Sequence, residues 1–105
     1  MKIYSETFSA SSLTAFQRNF IKENILFLDI ETTGLSPARD QIYCIGCGHF
    51  TGNQIQTDLF FAETPADEPA VLDEFYRFLS PFDTLVTFNG TTFDLPFIRK
   101  RAGIL

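Results

Sequence analysis

Three acidic residues carry the chemistry that this sequence can offer. Asp29 and Glu31 are separated by one residue in Ile25-Leu26-Phe27-Leu28-Asp29-Ile30-Glu31, an apolar run that ends in two acids. On a strand, residues two apart leave the same face, with Cα atoms about 6.6 Å apart at a rise of ~3.3 Å per residue. That spacing lets two carboxylates converge on a shared divalent cation, and without a counterion they repel each other. A lone D-x-E triplet is also what a strand ending in solvent looks like. The second candidate segment is Asn89-Gly90-Thr91-Thr92-Phe93-Asp94-Leu95-Pro96-Phe97-Ile98. It follows a predicted strand and opens a predicted helix, which puts Asp94 near a helix N-terminus. With that strand parallel to the first and beside it, Asp94 comes close to Asp29 and Glu31. Three carboxylates at the mouth of a sheet suit Mg²⁺ or Mn²⁺, which prefer oxygen ligands. The plainer reading of Asp94 is a helix cap, with Phe93 and Phe97 as core.

Cys44 and Cys47 form a C-x-x-C pair that invites a zinc or redox reading. A structural zinc needs four ligands, and only His49 is a plausible soft third partner. A redox pair needs the start of a helix, where the dipole lowers the thiol pKa. The surroundings, Ile42 to Phe50, read instead as a strand, on which residues three apart face opposite ways. The pair is therefore read as structural, with His49 packed or solvent-facing near the strand end.

The elements that must position these residues follow from periodicity and breakers. Residues 1–24 read as an N-terminal extension with a short helix from Ser11 or Ser12 to about Lys22, in which Leu13, Phe16 and Phe20 share a face. The run from Ile25 reads as a central strand buried on both faces. Thr32-Thr33-Gly34 turns the chain out, and Ser36-Pro37 makes a loop. Gln41 to Phe50 and Gln54 to Phe61 are strands joined by a turn at Thr51-Gly52-Asn53. Asp67 or Glu68 caps the next helix, with Pro69 in its first turn. Val71, Leu72, Phe75, Phe78 and Leu79 recur at helical spacing, and Ser80-Pro81 stops the helix. A fourth strand, Thr84 to Phe88, precedes a helix from about Thr92 to Ala102, with Gly103 past its end. The three short-linked strands should form an antiparallel meander, and the crossover helix should bring the fourth strand in parallel. The class is α/β with a mixed sheet.

Composition sets the outer bounds. A chain of 105 residues, 45% hydrophobic and with 13 phenylalanines, fits one aromatic-rich domain. Net charge of −5 is too small, and apolar content too high, for intrinsic disorder. The longest apolar stretch, Ile25 to Leu28, is far short of the ~20 residues of a bilayer helix. The N-terminus lacks a signal-peptide pattern, so a cytoplasmic protein is expected. A pI near 4.6 argues against holding nucleic acid by bulk charge, but not against carboxylates that hold metals.

Phe27-Leu28-Asp29-Ile30-Glu31-Thr32-Thr33-Gly34-Leu35 resembles the first motif of the DEDD superfamily of 3′–5′ exonucleases, which have a ribonuclease-H-like fold. Asn89-Gly90 through Phe93-Asp94 resembles the second motif. The run from Phe88 to Ala102 is especially similar to the bacterial YprB-type ribonuclease-H-like family. The resemblance covers roughly residues 25–105 and implies a two-metal phosphodiesterase using Mg²⁺ or Mn²⁺. It implies that Asp29 bridges two metal ions, that Glu31 binds the nucleophile-side ion and that Asp94 orients the second. Thr32, Thr33 and Leu35 match positions that meet the terminal nucleotide, and Asn89 and Phe93 match positions lining the same groove. The implied substrate is single-stranded or 3′-terminal DNA or RNA.

The superfamily's third motif, with its fourth aspartate and the preceding tyrosine or histidine, has no counterpart before Leu105. The sequence therefore reads as the N-terminal portion of such a domain, ending before a fifth strand. Two other functions compete with a nuclease: a nucleic-acid- or metal-binding module without turnover, and a structural fragment that needs another chain. Arg99, Lys100 and Arg101 offer a phosphate-contacting patch or, more plainly, a solvated helix end. The Thr84–Phe88 strand, left at an edge with no charge or proline, is expected to promote self-association.

Overall fold

The computed structural model describes residues 1–9, 24–87 and 93–104. The expected helix at 11–22 and the candidate Asn89 lie outside these residues. Strand β1 is Lys2–Ser9, β2 is Ile25–Thr32, β3 is Ile42–Thr51 and β4 is Gln54–Phe61. A single 3₁₀ turn, Pro65–Asp67, leads into α1 at Glu68–Leu79; β5 is Thr84–Val86 and α2 is Leu95–Ile104. The sheet has five strands in the order β1-β4-β3-β2-β5.

The meander and the crossover form as the sequence implies. β2 pairs antiparallel with β3, β3 antiparallel with β4, and β5 joins β2 in parallel. Gly52, at φ 60°, supplies the left-handed turn of the β3–β4 hairpin, a conformation that disfavours any residue with a Cβ. The turn that leads into α1 is closed by the Asp67 amide donating to the Thr64 carbonyl at 3.0 Å, while the Asp67 carboxylate accepts the Thr64 amide at 3.3 Å.

Four expectations need correction. β1 extends the meander by pairing antiparallel with β4 from Lys2↔Phe61 to Ser9↔Gln54. Its eight residues are all exposed, so no apolar stripe announces it. β2 is buried on one face only: Leu26, Leu28 and Ile30 are buried, whereas Phe27 is half-buried and Asp29 and Glu31 are exposed. The strand shows the alternation of a sheet packed on one side, not the double burial of a parallel sheet. β5 has three residues rather than five. Gly103 lies inside α2, not beyond it, and takes no positive φ.

Both described helices share one core with the β2–β4 face that carries Leu26, Leu28, Ile30, Ile45, Cys47 and Phe60. Val71, Leu72 and Phe75 enter it from α1, and Phe97 and Ile98 from α2. This burial, worth about 1.5–3 kcal/mol for each large side chain, fixes the helices on that face. Neither described helix packs on the opposite face. There Gly46 and Gly48 form the floor of a groove of about 590 Å³ bordered by Phe27, Asp29, Leu59 and Val86. No described helix is long and apolar enough to cross a membrane.

Candidate active site

Asp29 and Glu31 project from the face of β2 opposite the described helices, as their spacing requires. Their cross-strand partners are Gly46 and Cys44, so neither carboxylate meets a cation across the ladder. The ladder shifts register between Glu31 and Thr32, which ends the strand just beyond the two acids.

Asp94 reaches this end of the sheet by the crossover. In the parallel register Phe27 stands level with Val86, so the chain leaves β5 two residues short of the level of Asp29. It returns as a π-type turn at Phe93–Asp94 that runs into α2. Asp94 is buried, and burial pushes its carboxyl pKa up; the negative charges of Asp29 and Glu31 push it further the same way. Asp94 thus lies within electrostatic reach of both Asp29 and Glu31. Among the described residues, no three His, Cys, Asp or Glu side chains gather closely enough to hold one ion in these orientations. The donor set is nonetheless the hard-oxygen type that Mg²⁺ and Mn²⁺ select, and a cation would relieve the repulsion that raises Asp94.

The loop after β2 is braced from within. The Thr32 hydroxyl donates to the Gly34 carbonyl at 2.7 Å, and the Thr33 hydroxyl accepts the Gln41 amide at 2.9 Å. The Asp40 carboxylate accepts the Ser36 amide at 2.9 Å and fills the space beside Gly34, where any Cβ would collide with it. Leu35 stands at the tip, 83% exposed. Phe93 is half-buried with its ring 5.3 Å from that of Phe97, leaning on the core.

The cysteines face opposite ways. Cys44 pairs with Glu31 on the face opposite the described helices, where burial and the charges of Glu31 and Asp29 raise its thiol pKa. Cys47 points into the core opposite Leu28, and its thiol is pushed up to about 12, chiefly by burial. His49 packs edge-on against Phe78 and Phe82, at centroid distances of 5.7 and 5.1 Å.

The basic cluster divides. Arg99 and Lys100 are exposed, but Arg101 is buried and cannot join a phosphate-contacting patch. Its guanidinium donates to both carboxylate oxygens of Glu68, with Nη2 to Oε1 at 2.6 Å and Nε to Oε2 at 3.0 Å. Glu68 also accepts the Ile42 amide at 2.7 Å, and Arg101 donates to the Pro37 carbonyl at 3.4 Å. One ion pair therefore ties together α1, α2, the start of β3 and the loop that carries Leu35. The sequence carries no sign of this, because a first-turn acid and a last-turn base are ordinary features of any helix.

The family model of the RNase H superfamily matches residues 26–104. No curated protein matches the chain.

Proposed function

The chain belongs to the ribonuclease H superfamily, and from that premise we propose that it is a nuclease of the DEDD 3′–5′ exonuclease type. Members of the superfamily are typically nucleases, so nucleic-acid hydrolysis is the general expectation. The observation that supports a carboxylate site is the raised pKa of Asp94, driven by burial and by Asp29 and Glu31 together. Two elements far apart in sequence bring negative charge to one end of the central strand. Such like-charge crowding is characteristic of functional sites.

In this reading Asp29, Glu31 and Asp94 hold divalent cations, Mg²⁺ or Mn²⁺. Bound ions would acidify a water and offset the charge of the leaving 3′-oxygen. The chain's own residues would place the substrate: Leu35 would meet the terminal base, with Thr32 and Thr33 in the loop beneath it. Arg99 and Lys100 supply the remaining exposed cationic contacts to phosphate. A binding module without turnover is the second reading, favoured by the spread of the acids in their present orientations.

A 5′-labelled single-stranded oligonucleotide with millimolar Mn²⁺ separates the two. A stepwise ladder shortening from the 3′ end, abolished by Asp29→Ala, supports the exonuclease. Mn²⁺-dependent binding of the oligonucleotide without shortening supports the second reading and overturns the first.

A further inference from the structure

Among the described residues, no helix packs on β1 and no strand pairs with its outer edge. Ile3 on the helix-bearing face and Tyr4 on the opposite face are each 50% exposed, and neither described helix reaches out over this end of the sheet. Its inner edge is bonded to β4, and its outer edge closes the five-strand order. An eight-residue edge strand of this kind is a template for pairing with another strand.

We propose that β1 pairs antiparallel with β1 of a second copy, about a twofold axis through Tyr4. The charge pattern of Lys2-Ile3-Tyr4-Ser5-Glu6-Thr7-Phe8-Ser9 selects both the partner and the register. A twofold axis normal to the sheet keeps each face on its own side, so only registers centred on a residue are allowed. Centred on Tyr4, Lys2 of one copy opposes Glu6 of the other on the face that carries Tyr4, twice by symmetry, with the two Tyr4 rings side by side. Centring on Ser5 sets Lys2 against Phe8 and Glu6 against Tyr4. Centring on Glu6 sets the two Glu6 carboxylates against each other. Centring on Ile3 sets Lys2 against Tyr4 and leaves Glu6 beyond the pairing. Tyr4 is the centre that matches opposite charges, and cross-strand pairs of this kind set sheet register. The rival partner of Lys2, Glu63, lies 3.8 Å away with both side chains about half exposed, a contact easily exchanged. The other edge, β5, has three uncharged residues and nothing to set a register. An interface of one strand pair is small, so the dimer should be reversible and concentration-dependent.

The test is a charge exchange read by sedimentation. Lys2→Glu and Glu6→Lys should each weaken dimerisation by roughly tenfold, since each sets like charges opposite one another twice. Mixing the two variants should restore association as a heterodimer, because each Glu then faces a Lys. That rescue shows both variants to be folded. In a Cys44→Ser background, Tyr4→Cys should form a disulfide-linked dimer under mild oxidation. Ser5→Cys should not, since its Cα atoms would be offset beyond the ~7 Å that a disulfide spans. A chain that stays monomeric at several hundred micromolar overturns the proposal. So does a dimer indifferent to both charge reversals, or one that cross-links through position 5 or through β5.

Discussion

Glu68 and Asp94 are both acids at the starts of helices that pack on the same face of the sheet, and both are buried, at 1% and 5% exposure. Glu68 is surrounded by donors: the Arg101 guanidinium and the Ile42 amide share its two oxygens. Asp94 is set among its own kind, with Asp29 and Glu31 raising its pKa on top of burial. A buried charge is tolerated when it is paired and hydrogen-bonded, and otherwise shifts toward its neutral form. The fold therefore spends one acid on holding α1, α2 and the Pro37 loop together, and leaves another in a field that a cation would relieve. Structure and candidate function are separated by partner, not by residue type.

Breaking the paired side should have the largest effect. Arg101→Met leaves Glu68 as an uncompensated buried charge, which typically costs about 3–5 kcal/mol. Urea unfolding should show this loss, whereas Arg99→Met on the same helix should change the midpoint little. A similar small change for both would mean that Glu68 finds water or protonates without penalty.

Relieving the crowded side should act in the opposite direction. Asp94→Asn removes one of three repelling charges and should raise the melting temperature at neutral pH by a few degrees. The pH dependence carries the same sign. A carboxyl whose folded pKa lies above its ordinary 3.8 holds its proton more tightly in the folded state. Its contribution therefore improves as pH falls from neutral through the raised pKa toward 3.8, and worsens as pH rises again. The variant should lack that slope. A melting temperature lowered by Asp94→Asn would show that the carboxylate is stabilised by something other than its acidic neighbours.

Adding a cation is the next sharpening, and a smaller one. An ion that binds only the folded chain at ten times its Kd stabilises it by roughly 1.4 kcal/mol. Mn²⁺ should raise the melting temperature of the native chain, and Asp29→Ala should remove the response. Equal responses from the two proteins would place any bound Mn²⁺ elsewhere.

These two acids also mark how far the sequence can be read. The Asp29–Glu31 pair was legible because a strand's period of two dictates a shared face, and the crossover that carries Asp94 back followed from the order of strands and helix. β1 was missed because its residues face water on both sides, so the alternation of Ile3, Ser5 and Thr7 with Lys2, Tyr4 and Glu6 shows no apolar stripe. The burial of Arg101 was illegible for a different reason. Its partner lies 33 residues away, and only the packing of α2 against α1 shows which of three adjacent basic residues turns inward. Periodicity reports which way a side chain faces its own element, and not which element will cover it.

The smallest expected effect tests whether burial is what makes pairing matter. Asp67 is also paired, accepting from the Met1 ammonium at 2.9 Å and from the Glu63 amide at 3.0 Å, but it is only partly buried. The bond to the ammonium lowers the Asp67 pKa, and the same bond raises that of the amino group above its ordinary 8.0. The acid's contribution is present above 3.8 and fades as pH falls through its lowered pKa. The amino group's contribution is complete below 8.0 and fades as pH rises through its raised pKa. Between those limits both are in force, yet water and salt screen them. Asp67→Asn should therefore shift the neutral-pH unfolding midpoint far less than Arg101→Met, and the shift should shrink further in molar salt. Comparable losses from the two variants would mean that the N-terminal contact, which pins β1 beside α1, is as cooperative with the core as the buried pair. The contrast between Glu68 and Asp94 would then rest on connectivity rather than on dielectric.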